Sequence, residues 1–338
     1  MKKTQYSIFI ILSSLLFHCQ VLFTQSTNSN CYENELTLYV MPTLMPLNWD
    51  SPATLYKTMK KCYVQTIGIK DNYLLGHVAI KLTTHLLNKP LIIGKMAASP
   101  VERVNLVLKD KIGLGILGIP LKGKLESEEQ INHKLNIYAE RKKLTFLKYK
   151  INDKAALRII EFVDKYSQKM NYKYAPCDFY GGAFWPLYRN EGSSCSTFGI
   201  ALLELINVLN DDVKDWKLTR KIPMKLVGGE INNNKKIKIQ SIIKADKWYE
   251  GDGTKNIDFY EYNVYDPSII FNWIKARINQ NDSKYKTYIE NNIAGLIIDV
   301  SHINFIENTD FYKQRTEPDI FIDYYIKTKV EINSETNR

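Results

Sequence analysis

GSSCSTFGIALLELINVL, residues 192–209, places a cysteine behind a glycine and two serines and directly ahead of a long apolar run. Phe198, Ala201, Leu202, Leu205, Ile206 and Leu209 recur at helical spacing, so Ser196 to about Asn210 reads as a mostly buried helix. Cys195 then falls in the first turn, where unpaired backbone N–H groups and the helix dipole favour a thiolate. Gly192 supplies a flexible turn and the serines can cap the helix. Three roles are open to Cys195: a buried structural thiol, half of a disulfide, or a nucleophile.

A nucleophilic cysteine needs a base, normally a histidine that activates the thiol and later protonates the leaving group. Setting aside His18 in the leader described below, the chain offers His77, His85, His133 and His302. His77 stands in LGHVAIKL, where Gly76 allows close approach of a neighbouring backbone and the alternating run predicts a strand that fixes the ring. His302 stands in IIDVSHINFIE, which also reads as a strand, and His133 in the polar EEQINHKL reads as a surface residue.

Around these segments LTLYVM at 36–41 and PLIIGKMA at 90–97 read as strands, and YVQTIGIKDNYLLGHVAIKL as two β-type runs about Asp71-Asn72. Residues 27–60 read as irregular, interrupted by Pro42, Pro46 and Pro52. GLGILGIP at 113–120 lacks the following lysine of a phosphate-binding loop and reads as a bent strand. Lys154–Met170 has helical periodicity, with Asp153 placed to cap it. A loop rich in glycine and aromatics, YAPCDFYGGAFWPLYRNEGSS, leads to Cys195. NNNKK at 232–236 reads as a surface loop. Beyond it IDFYEYNVY, PSIIFNWIKARI and AGLIIDVSHINFIE suggest strand, helix and strand, and the last ten residues a polar tail.

At the start, Lys2 and Lys3 precede an apolar core from Ile8 to Phe23 and a polar TQSTNSN, the pattern of a secretory signal ending near residue 25. Lipid anchoring through Cys19 is the lesser alternative, because His18 replaces the small residue it would need. Residues 26–210 form the expected core, with 211–338 an extension of it or a small accessory lobe. The formal charge of +10 becomes +8 once Lys2 and Lys3 are removed, which suits an anionic envelope surface. The basic residues are dispersed, without the basic–aromatic repeat of a nucleic-acid binder, so no nucleic-acid partner is expected. In an oxidising compartment Cys31–Cys62 and Cys177–Cys195 are the pairings to weigh. No C-x-x-C or H-x-x-x-H spacing points to zinc, and neither a metal nor a cofactor is called for.

Tyr180-Gly181-Gly182, a variable loop, and Gly192-x-x-Cys195-Ser196-x-Phe198 together resemble the nucleophile segment of the NlpC-type cell-wall cysteine peptidases of the papain-like superfamily. Gly76-His77-Val78-Ala79-Ile80 resembles their histidine strand. With the histidine ahead of the cysteine, the order is that of the circularly permuted members, which include lecithin:retinol acyltransferase-like enzymes. The resemblance covers about a tenth of the chain and departs from the family at Ser194, usually acidic, and at Thr197, usually glycine.

The resemblance implies an α+β, papain-like fold in permuted order, its antiparallel sheet packed against the nucleophile helix. Cys195 is then the nucleophile and His77 the general base and acid, with the Cys195 N–H as one oxyanion donor. Tyr180 is a candidate second donor, Gly181 and Gly182 are candidates for the substrate loop, and His302 is the alternative base. The third polar residue stays open, since Pro90–Ala97 offers Lys95 as its one polar side chain and His85 would have to curl back. The expected activity is that of a secreted thiol hydrolase acting through an acyl-cysteine on a peptide, peptidoglycan or acyl-lipid substrate. The rival expectation is a catalytically silent binding module with a Cys177–Cys195 disulfide.

Overall fold

The computed structural model describes residues 33–66, 73, 75–169, 174–278, 280, 283–304 and 310–331. The expected leader with Cys19, the Asp71-Asn72 turn, the polar tail from 332 on and the Cys31 end of the Cys31–Cys62 pairing lie outside the described residues.

The strands are β1 (Asn34–Met41), β2 (His77–Thr83), β3 (Leu91–Ala97), β4 (Leu121–Glu126), β5 (Thr145–Ile151), β6 (Phe179–Tyr180), β7 (Lys217–Pro223), β8 (Phe259–Tyr265), β9 (Lys286–Glu290) and β10 (Ile293–Asp299). The helices are α1 (Pro52–Thr66), α2 (Pro100–Leu108), α3 (Glu128–Glu140), α4 (Asp153–Ser167), α5 (Cys195–Leu205), α6 (Val213–Trp216), α7 (Ile239–Ile243), α8 (Pro267–Ile278) and α9 (Ile320–Tyr325). Among the described residues eight strands form one sheet in the order β6-β4-β3-β2-β1-β5-β10-β9, and β7 pairs with β8 in a second. Every neighbouring pair is antiparallel except β10 with β5. The chain is therefore a mixed α+β protein built on a large, mostly antiparallel sheet, and residues beyond 211 add two of its strands.

The sheet is covered on both faces, because side chains alternate across a strand. Leu36, Leu38 and Val40 of β1 and Val78, Ile80 and Leu82 of β2 join α4, α5 and α8 in the largest core. Met41 and Ala79, on the opposite face, pack with Ile131 and Tyr138 of α3. Helix α5 is buried from Cys195 to Leu203. A helix apolar all round survives only inside a core, and here it lies against β2 and β3 with α4 beside it.

Several elements depart from the sequence expectation for local reasons. Pro52 starts a helix rather than breaking one, since a first-turn proline loses no hydrogen bond. Ser51 stabilises that start, its hydroxyl accepting from the Thr54 N–H at 3.1 Å. The same helix carries Tyr63 to Thr66, so the first of the two expected β runs begins as helix. GLGILGIP contains a 3-10 turn at Leu114–Leu117, not a bent strand. Helix α4 is capped by Asn152, one residue before the expected Asp153: its side chain accepts from the Ala155 N–H at 2.9 Å. Finally, β10 stops at Asp299, whose carboxylate accepts from the Ser301 N–H at 3.0 Å and closes an Asx turn.

Candidate active site

Three segments remote in sequence converge at one end of β2. His77 is its first residue, opposite Met41 of β1. Gly76, at φ +72°, makes the turn into it, and a Cβ there would lie 2.8 Å from the Met41 carbonyl oxygen. Only glycine meets both demands at low cost. Cys195 opens α5, with Ser194 at the N-cap accepting from the Thr197 N–H at 3.1 Å. The hydroxyl of Ser194 serves the third N–H of the helix. The Cys195 and Ser196 N–H groups are among the four that no intrahelical carbonyl can reach.

His77 and Cys195 are close enough for hydrogen bonding and charge to shift each other's ionisation. The residue that orients the ring is Glu126, the last of β4, whose Oε2 lies 2.7 Å from His77 Nε2. Glu126 reaches the histidine across β3, at the one position where that strand has no side chain. Gly94 pairs with both Ala79 and Glu126, and a Cβ on it would lie 2.6 Å from Glu126 Oε2 and 2.9 Å from His77 Nε2. The other carboxylate oxygen accepts from the Tyr73 hydroxyl at 2.6 Å and lies 3.5 Å from Lys134 Nζ. The Tyr73 ring stacks on the imidazole with centroids 3.8 Å apart and planes at 10°, while its N–H donates to the Tyr138 hydroxyl at 3.0 Å. His77 is thus held by a carboxylate at one nitrogen and an aromatic face above.

The electrostatics favour an ion pair. Burial pushes the Cys195 thiol up, but the hydrogen bond and charge of His77, with the Val78 N–H and the Ser196 hydroxyl, outweigh it and hold the thiol below its ordinary value. Burial also opposes charging His77, yet the sulfur and Glu126 raise its pKa to about 9. For Glu126 burial acts upward, while His77, Tyr73 and Lys134 bring it down to about 2. These directions favour the ionised form of all three groups: Cys195 toward thiolate, His77 toward imidazolium and Glu126 toward carboxylate. Tyr180 points its hydroxyl at the sulfur, 3.9 Å away. Burial, then the charge of Cys195, raises its pKa well above the usual phenol value, so it remains a donor.

The sulfur faces a cavity of about 120 Å³. Its walls include Trp49, Met59, Leu117, Gly181, Gly182, Tyr262 and Pro267, with Arg103 as the cation in the lining. Cys195 itself is 5 % exposed, so access runs through this cleft. The segment ahead of the cysteine is pinned at two points. The Ser193 and Tyr166 hydroxyls lie 2.8 Å apart, and the buried Glu191 accepts from Arg315 through both carboxylate oxygens at 2.7 Å.

The structure brings Cys195, His77 and Tyr180 together, with Gly181 and Gly182 beside them. It leaves His302 out. That residue is exposed in the turn after β10, at the edge where Asp299 pairs with Lys150 and Lys150 with Glu35. His77 is opposite Met41, six residues further along β1, which separates the two by roughly 20 Å. His302 therefore lies far from His77 and Cys195. His85 is also removed, lying in the loop beyond the far end of β2 with Nδ1 3.7 Å from Asp153. Cys177 and Cys195 are both free thiols, so the expected disulfide alternative is not formed. Among the described residues no group of three or more His, Cys, Asp or Glu is placed to hold a metal.

Sequence reasoning missed Glu126 and Tyr73. One local signal was available: S-E-E-Q at 127–130 forms a capping box with Ser127 as the helix cap, which places Glu126 at the end of the preceding strand. Its meeting with His77 depends on register across two strand pairs. Lys95, considered as a partner for the histidine, points away from it. Its Nζ donates to the Cys177 carbonyl at 2.5 Å and lies 5.8 Å from the Tyr180 ring centroid. It ties the loop ahead of Cys195 to β3.

Burial is the main cause lowering the Lys95 pKa to about 7, against the opposing effects of Cys177 and Asp178. Between pH 7 and the ordinary lysine range, the unfolded chain binds the extra proton, so folding gains stability as pH rises there. Wild type is expected to gain on the order of a few kcal/mol relative to Lys95→Met between pH 7 and 10. Urea midpoints at the two pH values check this; parallel shifts in both proteins would refute it.

Comparison with protein-family models, with curated proteins and with solved structures gives no match.

Proposed function

We propose that this chain is an exported thiol hydrolase of permuted papain-like architecture, cleaving an amide or ester through an acyl-cysteine. The observation that carries the reading is the buried chain from Cys195 through His77 to Glu126, in which each group is held by the next. In the proposed reaction the Cys195 thiolate attacks the substrate carbonyl. The developing oxyanion is received by the Cys195 N–H and the Tyr180 hydroxyl. Imidazolium His77 protonates the departing amine or alcohol, then as neutral base draws a proton from water to release the acid. Glu126 and Tyr73 hold the ring in place throughout.

The envelope-like motifs and the basic charge favour a peptide or peptidoglycan amide. The apolar walls of the cleft, Leu117, Met59, Trp49 and Pro267 among them, favour an acyl-lipid as the second substrate class. Incubation with small activated esters of each class, followed by intact-mass analysis, tests the proposal. One acyl group per chain, mapped to Cys195 and lost in Cys195→Ala, is expected. Turnover preserved in that variant would end the hypothesis.

A further inference from the structure

We infer that the outer face of α1, with the adjoining α7 segment, is a docking surface for an anionic lipid bilayer. On α1, Lys57, Lys60, Lys61 and Val64 are spaced by three and four residues and share one face. All four are exposed. The helix contains no acidic residue along its length. The Ala53 N–H donates to the Ala245 carbonyl at 3.0 Å, securing α1 to the α7 segment. There Lys244 and Lys247 are exposed beside a single carboxylate, Asp246. Between the two elements runs a groove of about 610 Å³ lined by the three lysines, Tyr56, Val64 and Ile243.

Two features on this face point to a bilayer rather than a soluble polyanion. Val64 is 54 % exposed and Ile243 46 %, beside the lysine row. Cations around exposed apolar side chains match the headgroup region, where ammonium groups meet phosphates and short apolar side chains enter the acyl boundary. The opposite side of α1 contributes Met59 to the active-site cleft, so docking would place a membrane surface one helix away from the sulfur. The inference does not depend on the thiol chemistry, and its test reads binding alone.

The test is co-sedimentation of the chain from residue 26 on, freed of its expected leader, with vesicles of phosphatidylglycerol mixed into phosphatidylcholine. Binding is expected to the mixed vesicles and not to phosphatidylcholine alone, and to be lost in about 1 M salt, where the screening length is about 3 Å. Replacing Lys57, Lys60 and Lys61 together by glutamine is expected to weaken it about 100-fold, and Val64→Asp about tenfold. Unchanged alkylation of Cys195 and an unchanged melting curve establish that each variant is folded. Failure of the wild type to bind mixed vesicles, or equal binding by the triple variant, overturns the inference. So does full binding by Val64→Asp, or retention on immobilised polyphosphate without vesicle binding, since either would assign the face to a polymer.

Discussion

His77→Ala is expected to slow alkylation of Cys195 by iodoacetamide at pH 7 by about 30-fold or more, because an ordinary thiol is only a few per cent ionised there. The loss has two parts. His77 supplies the hydrogen bond and charge that hold the Cys195 thiol below its usual range, and burial, which acts in the opposite direction, stays behind when the imidazole is removed. Hydrolysis is expected to fall further, by about 10²–10⁴-fold, because the variant also lacks the proton donor for the leaving group. The wild-type rate profile gives the same answer without mutation. Activity is expected to rise as Cys195 ionises, at a pH below the ordinary thiol range, and to fall as His77 loses its proton near pH 9. Alkylation of the variant at the wild-type rate, or an acidic limb at the position of a free cysteine, would show that sulfur and imidazole are not an ion pair.

A methyl group at position 94 is the second large effect. Gly94→Ala puts a carbon 2.6 Å from Glu126 Oε2 and 2.9 Å from His77 Nε2, well inside van der Waals contact, so the carboxylate and the imidazole must part. Strand β3 itself has no quarrel with alanine, because Gly94 is not among the glycines at positive φ. The expected outcome is a fall in kcat of about 100-fold with KM little changed, since a 1 Å misplacement in a catalytic group costs that much. The accompanying loss of stability is about 1–3 kcal/mol, typical of overpacking. Steady-state kinetics beside a urea titration separate the two. Activity within threefold of wild type would mean that the Glu126 contact does not orient the base.

Position 94 also marks the boundary of what could be read from the chain alone. Residues 90–97 were legible as a strand, and Lys95 stood out as its polar side chain, yet the chemistry at this strand comes from the glycine beside it. A missing side chain has no signature until two other strands are placed on either side. The position of Cys195 was legible for the opposite reason. Gly192, the two serines, Cys195 and the apolar repeat after it act over a single helix turn, through capping and the unpaired N–H groups of the first residues. Gly76-His77 was legible in the same way, as a turn followed by an alternating run. His302 was misplaced because IIDVSHINFIE alternates as a strand should, while the Asp299 side chain ends the strand at a turn through one hydrogen bond to Ser301.

The sequence by itself therefore determined the elements whose causes lie within a few residues: the central strands, the buried helix and its capped first turn. Tertiary structure alone decided which histidine meets the sulfur and which carboxylate meets the histidine. Those choices follow from strand register, set by burial on both faces of the sheet. A shift of one residue in β3 or β4 would turn Gly94 or Glu126 to the other face.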